Sequence, residues 1–285
     1  MASGRVSVVT GASRGLGRGI AIALGAAGDT VYVTGRSKDA PTGNWPGTIH
    51  ETAAAIDAAG GKGIAVACDH LDDAQTKAVF DQVLAEQGRL DVLVNNAFAM
   101  QDFSALPGNF WERELDEWKQ QIDVGLRSSY VACVYGIPLL IKAGRGLIVN
   151  TSSVGARAHL HPLPYGLSKI GQDKLAADMA PDLQPYNICA LSFWHGLVKT
   201  DRTLLGLEHF PQMFEGIGGY AGAESPGFGG KIIDALWRDN DLMRLSGGTF
   251  YTSELALHYG IKDEGDHQPI SFRPFFGAPL FEKPL

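Results

Sequence analysis

The sequence predicts an α/β protein: a doubly wound parallel sheet, helices on both faces in three layers, in a single domain with a C-terminal extension. Two observations predict it. Short apolar runs alternate with longer stretches whose apolar residues recur at helical spacing. The short runs are apolar almost without a break, as in strands covered on both faces. In such a fold, ligands sit at the carboxyl ends of the strands.

The elements follow in order. "RVSVVTG" (5–11) reads as a strand and "GLGRGIAIALGAAG" (15–28) as a helix. "TVYVTG" (30–35) is the second strand, and "TIHETAAAIDAAG" (48–60) a helix ended by glycine. "GIAVACD" (63–69) and "LDVLVNNA" (90–97) are strands flanking the helix "DDAQTKAVFDQVLAEQG" (72–88). A long helix covers roughly 113–143, "GLIVNTSS" (146–153) is a fifth strand, a helix carries Tyr165, and "NICALSFW" (187–194) is a sixth strand. Residues 1–252 are expected to form the domain, with a loop at about 200–225, and 253–285 an arm packed on it or on a neighbouring subunit. The last sixteen residues hold Phe272, Phe275, Phe276 and Phe281 among prolines, which suits extended chain rather than helix.

Composition narrows the class. The chain has 285 residues, enough for a sizeable core, and its net charge of −7 argues against a nucleic-acid surface. The longest apolar run, "YVACVYGIPLLI" (130–141), is too short to span a bilayer and contains a proline. The opening "MASGRVSVVTG" runs straight into a strand pattern with no signal-peptide character. Cys68, Cys133 and Cys189 are far apart in apolar segments, which reads as buried free thiols. A cytoplasmic protein is expected, with no nucleic-acid or membrane partner.

"VVTGASRGLG" (8–17) puts Gly11, Gly15 and Gly17 where the first strand turns into the first helix. Glycine lets backbone approach a pyrophosphate, whose charge is met by helix N-terminal amides. "PYGLSK" (164–169) sets Tyr165 and Lys169 four residues apart, on one face of a helix. A solvated polar stripe would explain that spacing. So would a tuned acid: free tyrosine titrates near pH 10, and a neighbouring ammonium stabilises its phenolate.

The chain resembles the short-chain dehydrogenases/reductases from about residue 5 to 200. The resemblance rests on "TGASRGLG" (10–17), Asp69 closing the third strand, "NNA" (95–97), "SS" (152–153), "YGLSK" (165–169) and "HGLVKT" (195–200), in that order. The "VGLR" run (124–127) narrows it to one branch. It implies a Rossmann-type dinucleotide-binding domain and a catalytic set of Ser153, Tyr165 and Lys169, with Ser152 the lesser candidate for the serine. Tyr165 would exchange the proton and Lys169 would tune it and hold the nicotinamide ribose. Gly11, Ser13, Arg14, Gly15, Leu16 and Gly17 would cradle the cofactor. Asp69 would meet the adenine, or simply cap its strand. Asn95 and Ala97 would support sheet and cofactor, and Val198 and Thr200 its nicotinamide end. The second strand ends in Gly35 followed by Arg36, not in an acid, which favours NADP(H) over NAD(H). The alternative is a solvated Arg36 with Asp39 in the acid's part.

Three departures stand out. Gly125 replaces the family's Asn, whose carbonyl is thought to hold a water leading to the lysine. His195 replaces a proline near the nicotinamide, as a packing residue or a titratable contact. Phe98 replaces the glycine after "NNA", narrowing the cofactor space or pointing into the core. Phe98, His161, Trp194 and His195 are candidate substrate contacts, and Met100, Phe103, Trp111, Phe210, Met213, Phe214 and Tyr220 either add apolar lining or pack their loops onto the domain. His159 and His161 lack a nearby acidic or cysteine partner, so no metal site is expected. The expected activity is NADPH-dependent interconversion of a carbonyl and an alcohol on a largely apolar small molecule, by a homodimer or homotetramer. The alternative is an NADP-binding sensor or scaffold with little turnover.

Overall fold

In the computed structural model, which describes residues 4–41, 45–99, 109–159, 162–209, 211–212 and 219–285, seven parallel strands form one sheet. The elements are β1 (Val6–Val9), α1 (Gly15–Ala26), β2 (Thr30–Gly35), α2 (Ile49–Ala58), β3 (Lys62–Ala67), α3 (Asp73–Gln87) and β4 (Val92–Asn95). Then come α4 (Asp116–Ala143), β5 (Gly146–Ser152), α5 (Leu163–Leu183), β6 (Ile188–Trp194) and α6 (Asp201–His209). The series closes with α7 (Phe228–Arg238), β7 (Thr249–Tyr251), α8 (Thr252–His258) and α9 (Arg273–Phe276). The strand order is β3-β2-β1-β4-β5-β6-β7. The order reverses between β1 and β4, and a crevice opens there at the strands' carboxyl ends.

Both sheet faces are buried, as the unbroken apolar runs required. Successive residues point to opposite faces. Val9, Val31 and Val33 pack with α1, α2 and α7 residues such as Ile20, Ile56 and Ile232. Val8 and Tyr32 pack on the other side with Phe80 and Val83 of α3 and Leu139 and Leu140 of α4. α4 is 28 residues long, and half of its most apolar stretch is buried within the fold.

Three expectations are corrected. The sheet has a seventh strand, β7, whose three residues are too few to read as a strand run. The long helix starts at Asp116, not 113, and is π-wound over Lys119–Arg127 around Gly125. The arm does contain a helix, the single turn α9, with Pro274 in its first turn where a missing N–H costs nothing.

The arm packs on the domain that precedes it. Tyr251 OH donates to Gly277 O at 2.8 Å and Thr249 N to Phe281 O at 2.9 Å. Arg157 donates to Ala278 O at 2.5 Å, and Arg273 bridges Glu254 at 2.6 Å and Glu282 at 2.5 Å. These ties bring Phe272 and Phe276 onto the rim of the crevice.

Candidate active site

A cleft of about 880 Å³ runs along the carboxyl ends of the strands. At one end lies the glycine turn. Gly11 and Gly15 hold φ of +65° and +55°, in the left-handed region open to glycine. Gly17 needs glycine for a different reason. A Cβ there would stand 2.3 Å from Asn96 Nδ2 and 2.7 Å from Gly11 O. Asn96 Nδ2 donates to Thr10 O at 2.9 Å and Gly11 O at 3.0 Å, tying the turn to the end of β4. The turn, the start of α1 and the residues after β2 and β3 therefore form a cradle with room and amides for a pyrophosphate. Gly17→Ala is expected to wedge Asn96 off this turn. The predicted result is at least tenfold weaker dinucleotide binding and a stability loss of about 1–3 kcal/mol, read by fluorescence titration and thermal melting.

At the far side of this end, Arg14 donates to Ser37 Oγ at 2.6 Å, and Arg36 lies beyond β2, 4.0 Å from Asp69. Asp69 also accepts from Leu71 N at 3.1 Å, so it is both a strand-end cap and a cleft wall. Asp39 lies 3.6 Å from His50, with its side chain 90% exposed, and is not among the described cleft walls. Ser13, Leu16, Ala97, Val198 and Thr200 all line the cleft.

At the other end, Ser153 Oγ and Tyr165 OH are 2.9 Å apart. Ser152 also lines the cleft, but its hydroxyl is committed to Lys169 O, to which it donates at 3.0 Å. β5 ends at Ser152, so Ser153 is the first residue released into the cleft, where it also accepts from Gly155 N at 3.2 Å. Lys169 is 7% exposed; its Nζ donates to Thr151 O at 3.2 Å and stands 5.4 Å from the Tyr165 ring centroid. Burial lowers the Lys169 pKa to about 8, against the pull of Asp173, which lies one turn on in α5. The expected lowering of Tyr165 is reversed in the protein alone. Burial pushes its phenol above 10, and the Ser153 bond and the charge of Arg202 in α6 only oppose that rise.

Two residues expected at the site lie elsewhere. Asn95, at the end of β4, is buried between strands and donates to Asn150 Oδ1 at 2.8 Å; its neighbour Asn96 faces the cleft instead. Trp194 is fully buried, donates through Nε1 to Asp173 Oδ2 at 2.8 Å, and meets Tyr251 edge-on at 5.3 Å. Strand alternation separates it from His195, which does line the cleft and holds Glu224 Oε2 at 3.3 Å from its Nδ1. Phe98 lines the cleft too. Met100, Phe103, His161, Phe210, Met213 and Phe214 lie outside the described residues.

Other contributors went unread in the sequence. Glu224 accepts from Gly196 N at 2.8 Å and Thr252 Oγ1 at 2.5 Å as well as facing His195, so it holds the loop after β6. Phe272 and Phe276 arrive from more than a hundred residues downstream of Tyr165, with no local signal. Asp173 did carry a signal, since it repeats the Tyr165–Lys169 spacing once more.

A switch-point crevice with a glycine turn at one end and paired hydroxyls backed by a lysine at the other defines a dinucleotide-dependent oxidoreductase. The short chain dehydrogenase family profile matches residues 5–204, and the chain belongs to that family. Among its relatives is the dehydrogenase/reductase SDR family member 1 of Mus musculus, 41% identical over 94% of this chain and 85% of the relative. The Homo sapiens protein of the same name is 39% identical over the same shares. A short chain dehydrogenase structure from Mycobacterium thermoresistibile, at 23% identity, shares the fold with a TM-score of 0.77 over 98% of this chain and 99% of that one. The chain is an NAD(P)-dependent oxidoreductase.

Proposed function

We propose that this chain is an NADPH-dependent oxidoreductase that interconverts a carbonyl and an alcohol on a largely apolar small molecule. The observation that carries the reading is the 2.9 Å contact of Ser153 Oγ with Tyr165 OH in the cleft wall, with buried Lys169 behind it. When bound, the dinucleotide supplies or takes up the hydride. Tyr165 gives its proton to the substrate oxygen as charge develops there. Ser153 donates a second hydrogen bond to the same oxygen. Lys169 stabilises negative charge on Tyr165 and, lining the cleft beside it, would also hold the ribose of a bound dinucleotide.

The preference for NADP(H) rests on charge at the end of β2. Gly35 offers no carboxylate to repel a 2′-phosphate, Arg14 and Arg36 flank the spot, and Asp39 is not among the described cleft walls. An apolar substrate is supported by Phe98, Val154, Leu197, Phe272 and Phe276 in the cleft wall.

The test is titration with NADPH and NADH, followed by NADPH oxidation against a panel of ketones, aldehydes and quinones. NADPH should bind at least tenfold more tightly. Arg36→Ala should weaken NADPH about 10–100-fold and leave NADH nearly unchanged, as loss of one charge-assisted bond predicts. Equal losses for both nucleotides would remove the basis for the preference.

A further inference from the structure

Two departures from the family pattern, Phe98 and Gly125, touch each other. Gly125 is buried in the π-wound stretch of α4. A Cβ placed on it would come 3.0 Å from Phe98 Cδ2 and 3.1 Å from Cε2. The ring thus occupies the room that a side chain at 125 would need. The same ring lies 4.4 Å from Lys169 Nζ, measured to its centroid, and meets Tyr165 edge-on at 5.6 Å and 84°. The Gly125 carbonyl is engaged as well: Gln172 Nε2 donates to it at 2.7 Å and to Ser129 Oγ at 2.7 Å.

We propose that Phe98 and Gly125 form a pair that positions Lys169: glycine vacates the space, and the aromatic ring fills it and carries the ammonium on its face. A cation within about 6 Å of a ring centroid is attracted by the ring's quadrupole, more strongly when water is excluded. Both conditions hold, since Lys169 is 7% exposed and the one hydrogen bond described for its Nζ is to Thr151 O. Phe98 therefore acts through Lys169, as a positioning residue. Around Lys169, α5 presents two titratable groups, Tyr165 and Asp173. β5 and the residues after it present Thr151, Ser152 and Ser153, the chain after β4 presents Phe98, and α4 presents Gly125. Arg202 of α6 acts on Tyr165.

The inference rests on reading Lys169 as the lysine of the proton-exchanging set, but its test needs no turnover. Lysine side chains of the whole protein, labelled with ¹³C and ¹⁵N, are titrated by NMR, and the Lys169 signal is assigned by its loss in Lys169→Met. Phe98→Leu keeps bulk but removes the face, and should lower the Lys169 titration by about half to one pH unit. Phe98→Tyr keeps the face and should leave it in place. Trifluorophenylalanine at position 98 keeps the shape, weakens the quadrupole and should lower the titration even if the leucine variant does not fold. For the pairing, Gly125→Asn should lower the melting temperature, and adding Phe98→Gly should recover most of that loss. A Lys169 titration indifferent to fluorination overturns the ring's role, and simple additivity of the two melting shifts overturns the pair. If Tyr165→Phe retained reductase activity, the catalytic assignment would fail while both of these readouts stood.

Discussion

Tyr165→Phe is expected to lower NADPH-dependent reduction by about 10²–10⁴-fold, the usual span for loss of a positioned general acid. Dinucleotide affinity should change by less than a few-fold, because the variant loses one hydroxyl at the far end of the cleft from the glycine turn. Burial raises the phenol above 10, so the group is protonated throughout the neutral range and is set to give a proton. Removing the hydroxyl also leaves Ser153 Oγ without its 2.9 Å partner, so substrate oxygen would meet one donor where there were two. The measurement is steady-state NADPH oxidation with whichever carbonyl of the panel turns over fastest, beside a binding titration of the same variant. Activity within tenfold of the unaltered protein would sink the assignment of Tyr165 and require another proton source in the cleft.

The fold was legible because its signals are local and repeated. Unbroken apolar runs, such as 187–194, and helical spacing in 15–28 each report burial independently. β7 escaped because three residues carry no period, and it is a strand only through its pairing with β6. At the site, helical spacing put Tyr165 and Lys169 on one face but left a polar stripe and a tuned acid both open, and the strand end offered Ser152 and Ser153 alike, with only the family resemblance favouring Ser153. Spacing did not settle which of two adjacent residues faces a cavity. Asn95 and Asn96, like Trp194 and His195, are neighbours that strand geometry sends to opposite sides. Contacts between distant segments were not legible at all. Phe98 and Gly125 were each visible as an anomaly against the family pattern, but only the folded chain puts the ring where a side chain at 125 would stand.

Asp173→Ala is expected to cost about 3–5 kcal/mol of stability at pH 7, because removing one member of a buried charged set strands the others. The carboxylate is fully buried. It accepts from Ser192 Oγ at 2.7 Å and from Trp194 Nε1 at 2.8 Å, and its charge is what favours the ammonium of Lys169 in that site. Alanine would leave Trp194 Nε1 without its acceptor, Ser192 Oγ with only the longer 3.4 Å bond to Asn150 O, and a buried lysine without its counter-charge. Burial raises the Asp173 pKa to about 6, above its ordinary 3.8, despite the bonds from Ser192, Ser152 and Trp194. The sign follows from that direction. Between pH 3.8 and 6 the folded protein keeps a proton that the unfolded chain has released, so this group's contribution falls as pH rises through that window and is level above it. Asp173→Asn, which does not titrate, should remove that part of the slope, while removing the counter-charge of Lys169 and leaving the protein less stable than the original at pH 7. Lys169 should then lose its proton more readily, and activity at neutral pH should fall with it. Chemical denaturation at pH 4, 6 and 7.5 separates the outcomes. An unchanged slope in Asp173→Asn would mean that Asp173 does not titrate in that window, and a loss below about 1 kcal/mol in the alanine variant would mean that Lys169 draws its charge stabilisation from elsewhere, the face of Phe98 foremost.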